Sequence, residues 1–210
     1  MIGIYGGTFD PVHFGHLRPA VDVYSLLNLA KIHFIPCGQP PHRNVPIASA
    51  DQRLEMLSLA VERQPDFFVD DREITRAGPS YMVETIQSLR ADFPGEKFCL
   101  IIGMDAFVNF DTWKDWETIT DLVSLVITQR PRFEPDLIPS TDLLQYMNEK
   151  RINDKDEFIT AEDTHCFFCA VTQLDISSTN IRKLVCDGNS IDYLVPEKVA
   201  RYIQDKNLYR

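Results

Sequence analysis

Two short segments near opposite ends of the chain carry side chains suited to binding phosphate. The first reads GGTFDPVHFGH over residues 6–16, and the second reads ISSTNIR over residues 176–182. Each segment leads into a predicted helix, whose N-terminus offers free backbone N–H groups and the positive end of the helix dipole. Because both segments add cationic or protonatable side chains at that point, the sequence predicts binding of an anion such as phosphate.

The first segment differs from the two common phosphate-binding loops. A dinucleotide-binding loop needs glycine where this chain has Thr8 and Pro11, and no Gly-Lys-Ser/Thr follows as in a Walker loop. What remains is a Gly-Gly turn followed by His13 and His16, whose spacing puts both imidazoles on one helical face. A structural alternative makes Asp10 the N-cap and Pro11 the first helical residue, with both histidines merely exposed. We favour a functional role for the two histidines, because protonating them at a helix N-terminus costs roughly 0.3–1 kcal/mol unless an anion is present.

The second segment repeats this arrangement with different residue types. Ser177, Ser178 and Thr179 are good N-cap residues, and a structural interpretation needs nothing more. A purely stabilising cap, however, is normally followed by acidic residues, whereas Arg182 and Lys183 follow here. The positive charge at this helix start indicates a phosphate bound by Ser178, Thr179, Arg182 and backbone amides.

Apolar runs typical of strands alternate with helical patterns along most of the chain. Strands are predicted at residues 2–5, 32–36, 67–74, 98–102 and 122–128, and helices at residues 15–29, 51–63, 81–91 and 113–119. The runs at 98–102 and 122–128 are apolar without alternation, which indicates strands covered on both faces. The sequence therefore predicts an α/β fold with a doubly wound parallel sheet, in which ligands bind beyond the carboxyl ends of the strands.

The chain changes character after residue 128. Residues 131–165 are acidic and irregular apart from a predicted helix at 141–151, and residues 166–171 read as a strand. Helices follow from residue 178, the last of them spanning 196–206. We predict a Rossmann-like domain over residues 1–176 and a small C-terminal helical subdomain over residues 177–210, packed together as one compact unit.

Composition narrows the possible classes of function. The chain has 210 residues and a net charge of −10, which argues against binding nucleic acid. No run approaches the roughly 20 apolar residues that span a membrane. Gly6 and Gly7 interrupt the apolar N-terminus, so we expect neither a membrane segment nor a signal peptide.

The cysteines indicate a reducing, cytoplasmic location. Their number is odd, at five, and most lie in apolar surroundings. Cys166 and Cys169 have the spacing of a metal-binding pair, but His165 is the sole further ligand nearby, and zinc needs about four. We therefore predict free structural cysteines and no resident metal site.

The two phosphate-binding segments together resemble a known superfamily. His-x-Gly-His at residues 13–16, paired with Ile-Ser-Ser-Thr-x-Ile-Arg at 176–182, resembles the α/β nucleotidyltransferases, and more closely the bacterial nicotinate-mononucleotide adenylyltransferases. The resemblance covers nearly the whole chain. Further matches are PPHR at 40–43, GPSY at 78–81, IGMD at 102–105, Trp113, QRP at 129–131 and the ending from YLVP at 193–196 to Leu208-Tyr209.

The resemblance implies a reaction and its substrates. The expected fold is the Rossmann-like nucleotidyltransferase fold. The expected activity is adenylyl transfer from ATP to nicotinate mononucleotide, giving nicotinate adenine dinucleotide and pyrophosphate in NAD biosynthesis, with Mg²⁺ accompanying ATP. The protein is expected to be a monomer or a homodimer. Two alternatives are another adenylyltransferase, such as phosphopantetheine adenylyltransferase, and a non-catalytic nucleotide-binding regulator.

The resemblance also implies a role for individual residues. The expected catalytic residues are His13, His16 and Arg182. Binding of ATP is assigned to Gly6, Gly7, Thr8, Phe9, His16, Gly103, Asp105, Ile176, Ser177, Ser178 and Arg182, with Asp105 on the ribose hydroxyls. Binding of the pyridine nucleotide is assigned to His42, Arg43, Tyr81, Met82, Thr85, Trp113 and Arg130, with Trp113 as the stacking platform.

One position departs from the family pattern. Met82 stands where the family commonly has threonine, although Thr85 is present. If a threonine side chain at this place reads the pyridine carboxylate, the preference for acid over amide is in doubt. If main-chain N–H groups read it, Met82 has no consequence.

Overall fold

A computed structural model of the protein describes residues 1–40, 45–129 and 140–210. The strands are β1 (Ile2–Gly7), β2 (Lys31–Pro36), β3 (Phe67–Val69), β4 (Phe98–Gly103), β5 (Ser124–Gln129), β6 (Arg151–Ile152) and β7 (Cys166–Ala170). The helices are α1 (Phe14–Leu26), α2 (Ala50–Val61), α3 (Arg72–Thr75), α4 (Met82–Asp92), α5 (Met104–Phe107), α6 (Trp116–Leu122), α7 (Thr141–Lys150), α8 (Lys155–Thr160), α9 (Ser178–Cys186) and α10 (Glu197–Asp205), with a 3-10 helix at Phe110–Thr112.

The seven strands form a single sheet in the order β3-β2-β1-β4-β5-β7-β6. The pairs β1–β4, β4–β5, β5–β7 and β6–β7 are parallel, with Leu100 of β4 in register with Ile4 of β1 and Leu125 of β5. Five of the six residues of β4 and four of the six in β5 are buried. Burial on both faces explains their unbroken apolar sequences, and the predicted doubly wound α/β fold is confirmed.

The chain divides into two compact units. The first unit comprises Met1–Tyr5, Ala20–Ile32 and Tyr81–Thr172, and the second comprises Gly6–Pro19, His33–Ser80 and Gln173–Arg210. The predicted domain boundary after residue 176 stays a prediction.

The first unit is built around the central strands. Its core contains apolar residues of β4 and β5, exemplified by Ile101 and Val126, and the buried thiols of Cys99, Cys166 and Cys169. All five cysteines of the chain are free, as predicted. No helix of the described residues is long and apolar enough to cross a membrane.

The second unit is organised by helices α2 and α10, which pack against each other. Helix α2 begins at a capping box, in which the Ser49 hydroxyl accepts the Gln52 N–H and the Gln52 side chain accepts the Ser49 N–H. Its apolar face buries Met56 and Leu57, while α10 buries Val199 and Ile203. Arg53 of α2, and Ala48 just before this helix, form hydrogen bonds with the loop that follows β1.

Three predicted features differ from the observed structure. Gly6 and Gly7, predicted as a turn after a strand at 2–5, are the last two residues of β1. The predicted strand at 67–74 ends at Val69, because the Asp70 carboxylate accepts the Arg72 N–H at 3.1 Å and the Arg72 guanidinium at 2.8 Å, which turns the chain into α3. The helix predicted at 113–119 begins instead at Trp116. Asp115 has left-handed backbone geometry (φ 51°), which interrupts a helix before that point.

Candidate active site

The loop after β1 connects the end of the strand at Gly7 to the start of α1 at Phe14. Phe9 in this loop is buried and adopts a positive φ of 51°. A side chain at position 7 would approach the Phe9 ring to 2.8 Å, so glycine is required there for the ring to fold back over the strand end. The peptide bond between Asp10 and Pro11 is cis.

Asp10 anchors this loop and does not cap α1. Its buried carboxylate accepts the N–H groups of Ile47 at 2.8 Å and Ala48 at 3.1 Å, and the hydroxyl of Tyr209 at 2.7 Å. The structural alternative of Asp10 as N-cap and Pro11 as first helical residue is therefore wrong, because α1 begins three residues after Pro11 and the Asp10 side chain is used elsewhere.

The two histidines lie against each other at the start of α1. Their ring centroids are 3.8 Å apart with an interplanar angle of 28°. The His13 N–H donates to His16 Nδ1 at 3.3 Å, which leaves the proton of a neutral His16 ring on Nε2. Burial lowers the pKa of His13 to about 4, and burial together with His13 lowers the pKa of His16 well below its ordinary value. Both rings are thus neutral hydrogen-bond donors at pH 7.

Gly15 between the histidines allows a close approach of two chain segments. A side chain at this position would come within 2.9 Å of the His13 ring and 3.0 Å of the Ile176 carbonyl oxygen. Because Gly15 has no side chain, the His13 ring and the Ile176 carbonyl of the second phosphate-binding segment can both lie close to it.

The second phosphate-binding segment contacts the first directly. Ser177 caps α9 by accepting the Asn180 N–H at 3.2 Å, as its residue type predicts. The Ser178 hydroxyl donates to the Pro11 carbonyl at 3.0 Å. The guanidinium of Arg182 donates through Nη1 to the Asp10 carbonyl at 2.7 Å. Within the second unit, the structure thus brings together the two segments that the sequence singled out.

The predicted ribose-binding pair lies in the first unit. Gly103 ends β4, and Asp105 lies in the short helix α5 that follows at once. The Asp105 carboxylate folds back into the space beside Gly103 that a side chain would occupy. Burial, and secondarily the Asp105 charge, raise the pKa of the Tyr5 phenol. The acidic side chain therefore lies at the carboxyl end of the central strand.

The predicted pyridine-binding residues of the first unit surround the start of α4. Tyr81 precedes the helix, Met82 is its first residue, and the buried Thr85 hydroxyl donates to the Tyr81 carbonyl at 3.3 Å. The Lys114 ammonium lies 4.3 Å from the Tyr81 ring centroid and pairs with Glu84 at 2.9 Å. Lys114 therefore contacts one face of the Tyr81 ring, and Thr85 holds the Tyr81 main chain.

Trp113 is half-buried and packs on one neighbour of the aromatic core. Its ring centroid lies 5.1 Å from that of Phe110, at an interplanar angle of 53°. Phe110 itself is fully buried and also contacts Trp116. Trp113 therefore packs on the buried Phe110 while part of the residue remains exposed.

Comparison with known proteins decides the family. A family model described as cytidylyltransferase-like matches residues 4–184. A probable nicotinate-nucleotide adenylyltransferase of Methylococcus capsulatus is 43% identical over 210 residues, which cover 100% of this chain and 99% of that protein. Another, from Hydrogenovibrio crunogenus, is 43% identical over 212 residues, covering 100% of this chain and 98% of that protein. The chain belongs to the nicotinate-nucleotide adenylyltransferase family.

Solved structures support the same fold. Plasmodium falciparum nicotinic acid mononucleotide adenylyltransferase, complexed with NaAD, aligns with a TM-score of 0.72 at 19% identity, covering 99% of this chain and 96% of that one. A putative nicotinate-nucleotide adenylyltransferase from Vibrio parahaemolyticus aligns with a TM-score of 0.66 at 16% identity, covering 100% and 94%. The expected nucleotidyltransferase fold is confirmed, and this member of the nicotinate-nucleotide adenylyltransferase family is a nucleotidyltransferase.

Arg53 of this family member was not predicted as a site residue. It is 1% exposed, and its guanidinium donates to the Thr8 carbonyl at 2.8 Å and to the Gly38 carbonyl at 3.4 Å. It thereby ties α2 to the loop after β1 and to the chain after β2. The available signal was a charged residue on the apolar face of α2, at helical spacing from Met56 and Leu57.

Three predicted site residues lie outside the described residues: His42, Arg43 and Arg130. Their assignment to the pyridine nucleotide stays a prediction. Within the described ranges, no group of three or more His, Cys, Asp or Glu side chains is placed to hold a metal ion.

The first unit of this nucleotidyltransferase also contains a cavity of about 240 Å³. Its lining includes Met1, Phe98 and Ser124, which lie at the amino ends of strands β1, β4 and β5. None of the predicted site residues that the structure describes lines it, and ligands of such sheets bind at the opposite, carboxyl ends. The cavity is therefore not the candidate active site.

Proposed function

We propose that the protein transfers the adenylyl group of ATP to nicotinate mononucleotide and releases pyrophosphate. A phosphate oxygen of nicotinate mononucleotide attacks the α-phosphorus of ATP, and the bond from that phosphorus to the bridging oxygen of the β-phosphate breaks. The observation that carries the proposal is the contact between two segments. The loop after β1, which leads into His13 and His16, accepts hydrogen bonds from helix α9, which contains Arg182. It is supported by relatives of about 40% identity named for this activity.

The site is chemically suited to this reaction because its nucleophile needs no general base. A phosphate monoester is already ionised at pH 7, so catalysis consists of aligning two anions and neutralising the charge that develops on the phosphates. Neutral His13 and His16 donate hydrogen bonds, and Arg182 supplies a permanent charge. Mg²⁺ enters with ATP as part of the substrate, held by the hard phosphate oxygens.

His16 has the clearest role among the phosphate-binding residues. Because Nδ1 accepts the His13 N–H, the donor atom available to a phosphate is Nε2. A neutral imidazole at this place carries no desolvation cost for a buried charge, yet it still donates to an oxygen whose negative charge grows during the reaction. Gly6 and Gly7 at the end of β1 and the backbone N–H groups of Thr8 and Phe9 are assigned to the same phosphates.

The remaining assignments also belong to the proposal. Gly103 and Asp105 are assigned to the adenosine, with the Asp105 carboxylate on the ribose hydroxyls. Ile176, Ser177 and Ser178 are assigned to ATP at the start of α9. Trp113 is assigned to the pyridine ring. A cytoplasmic location, supported by five free cysteines, belongs to the proposal as well.

We propose that main-chain groups of α4 read the pyridine carboxylate. Helix α4 begins at Met82, directly after Tyr81, and the first N–H groups of a helix point beyond its N-terminus. The helix dipole adds a preference for a negative group at that end. Thr85 acts indirectly in this arrangement, since its hydroxyl bonds to the Tyr81 carbonyl. Met82 has no role in reading the carboxylate.

A substrate panel tests the proposal. We expect pyrophosphate release from ATP with nicotinate mononucleotide, less with nicotinamide mononucleotide, and none with phosphopantetheine. We expect Met82→Thr to change the ratio of kcat/KM for acid and amide by less than about twofold, since in this proposal main-chain groups and not the side chain at position 82 contact the carboxylate. Failure to turn over either pyridine nucleotide would exclude the proposed reaction, and turnover of phosphopantetheine would replace it with a different adenylyl transfer.

A further inference from the structure

We propose that Asp10 and Tyr209 are positioning residues that aim the Arg182 guanidinium at the phosphates of ATP. The proposal rests on the proposed function, because it assigns Arg182 to those phosphates. Asp10 lies in the loop after β1, and Tyr209 is the second-last residue of the chain. Neither was predicted as a site residue from the sequence.

The Asp10 carboxylate is held in one orientation by three donors. Oδ1 accepts the Ala48 N–H at 3.1 Å and the Tyr209 hydroxyl at 2.7 Å, and Oδ2 accepts the Ile47 N–H at 2.8 Å. The residue is 4% exposed, so water does not compete for these bonds. Charge-assisted hydrogen bonds are stronger than neutral ones, and three of them restrain the orientation of the carboxylate.

The fixed side chain of Asp10 fixes its own carbonyl, and this carbonyl holds Arg182. Nη1 of Arg182 donates to the Asp10 carbonyl oxygen at 2.7 Å and lies 3.9 Å from Oδ2. Nη2 donates to the Thr179 hydroxyl at 3.3 Å. Because a guanidinium is a rigid planar fork, anchoring these two nitrogens sets the direction of its other N–H donors.

Tyr209 completes the arrangement from the C-terminal end. The residue is 8% exposed, and its backbone has left-handed geometry at φ 64°. Burial, and then the hydrogen bond to Asp10, raise the pKa of the Tyr209 phenol, so the hydroxyl keeps its proton and remains a donor. Tyr209 thereby supports Arg182 through Asp10, and it is assigned no contact with a substrate.

Tyr193 provides a matched control in the same unit. It has nearly the same φ, at 63°, but the residue is 93% exposed. Replacing either tyrosine by phenylalanine removes one hydroxyl and keeps the ring. The two substitutions differ in whether the hydroxyl bonds to Asp10.

The first test is steady-state release of pyrophosphate by Tyr209→Phe and Tyr193→Phe. We expect Tyr209→Phe to lower kcat about 10-fold, because small misplacements of catalytic groups cost up to about 10²-fold. The KM for nicotinate mononucleotide is expected to stay within about twofold, since Arg182 is assigned to ATP. Tyr193→Phe is expected to retain both constants. Equal effects of the two variants would overturn the proposal.

A double-mutant cycle separates positioning from general support of the fold. If Tyr209 acts through Arg182, Tyr209→Phe loses its effect once Arg182→Ala is present, so its cost should fall from about 10-fold to less than about twofold. A structural role would instead give the same loss in both backgrounds, and that result would overturn the proposal. Melting temperatures of all four proteins show that each is folded at the assay temperature.

Two further experiments apply if the protein has no activity with nicotinate mononucleotide or if Tyr209→Phe does not fold. If the unsubstituted protein releases no pyrophosphate with nicotinate mononucleotide, the proposed function fails and the cycle is repeated on the dissociation constant of MgATP. Tyr209→Phe should then weaken MgATP binding with Arg182 present and not in its absence; an equal change in both would overturn the positioning role. If Tyr209→Phe does not fold, Asp10→Asn, which keeps the shape of the side chain, enters the same cycle with the same expected outcomes.

Discussion

The two units hold their candidate binding groups in different ways. In the second unit, His13, Asp10 and Arg53 are buried, and Asp10 and Arg53 hold neighbouring main-chain atoms through several hydrogen bonds. In the first unit, Tyr81 and Trp113 are half-exposed. Tyr81 lies under the ammonium of Lys114, which forms an exposed ion pair with Glu84. One set of groups is fixed by a buried network, and the other by packing at a surface.

The difference matches what each set does in the proposed reaction. Donors that stabilise developing charge contribute most when they are fixed before the reaction, because no reorganisation is then needed. A platform for a planar ring needs an open face, and stacking tolerates modest movement. We therefore expect substitutions in the second unit to act mainly on kcat, and substitutions at the surface of the first unit mainly on the KM for nicotinate mononucleotide.

The largest expected effect is that of His16→Ala. Loss of one preorganised donor to a developing negative charge typically costs about 10²–10³ in turnover, or about 3–4 kcal/mol of transition-state stabilisation. We expect a fall of this size in kcat, measured as pyrophosphate release at saturating substrates, with a much smaller change in the KM for nicotinate mononucleotide.

His165→Ala is the control for this substitution. His165 lies in the first unit directly before β7 and is not a predicted site residue. Its replacement is expected to leave kcat within about twofold. A His16→Ala protein with nearly full turnover would show that the stacked histidines are structural, and the proposed contrast between the units would be lost.

The next largest effect concerns pH and the buried histidines. The folded-state pKa of His13 is lowered by burial to about 4, against an ordinary value of 6.5. Between these values the unfolded chain binds a proton that the folded chain does not, so stability is complete above pH 6.5 and falls as the pH decreases towards 4. His16 acts in the same direction. For His13 alone we expect a loss of about 2–3 kcal/mol.

Urea unfolding at pH 7 and pH 4.5 measures this loss. His13→Gln serves as the comparison, because it keeps a polar side chain of similar reach but has no titrating group. The decrease in the free energy of unfolding between the two pH values should be smaller in this variant. The pKa of His16 is lowered partly by His13, so this substitution also removes part of the His16 contribution. The Asp70 carboxyl, whose pKa is lowered by its contacts with His33 and Arg72, loses its contribution at still lower pH. Equal decreases would contradict the buried, neutral state of His13.

The features of the molecule that depend on local sequence could be predicted, and those that depend on long-range contacts could not. The parallel sheet followed from the unbroken apolar runs of β4 and β5, and the phosphate-binding segments followed from the glycines, histidines and Arg182 beside helix starts. These features are local. The pairing of Asp10 with Tyr209 joins residues 199 positions apart, and no local pattern encodes it. An N-cap was therefore the natural alternative for Asp10, and it was wrong.

Short-range errors have a different cause. The strand predicted at 67–74 and the helix predicted at 113–119 both continued a hydrophobic pattern past a residue that turns the chain. At the first place Asp70 bonds to Arg72, and at the second Asp115 takes left-handed geometry. Aspartate favours both arrangements more than most residues do, but periodicity alone does not show which aspartate adopts them.

A third prediction tests the exposed side of the comparison through Trp113→Ala. Stacking of a base on an aromatic side chain is worth about 1–3 kcal/mol, so we expect the KM for nicotinate mononucleotide to rise about 10-fold. Trp113→Phe keeps a smaller platform and should raise it by no more than about threefold. The KM for ATP is expected to stay unchanged in both. A fall in kcat with no change in KM would mean that Trp113 belongs functionally with the buried groups.

The smallest expected effect is that of Lys114→Met, which removes the charge over Tyr81 and keeps most of the aliphatic chain. The ammonium is exposed and its pair with Glu84 lies in water, where ion pairs contribute little. We expect the KM for nicotinate mononucleotide to change less than about twofold, because the Tyr81 main chain remains tied to Thr85. Glu84→Gln, which removes the other half of the pair, should have an equally small effect. If Lys114→Met raised this KM 10-fold while Glu84→Gln did not, the ammonium itself would be a substrate contact. The surface of the first unit would then recognise its ligand by charge as well as by stacking.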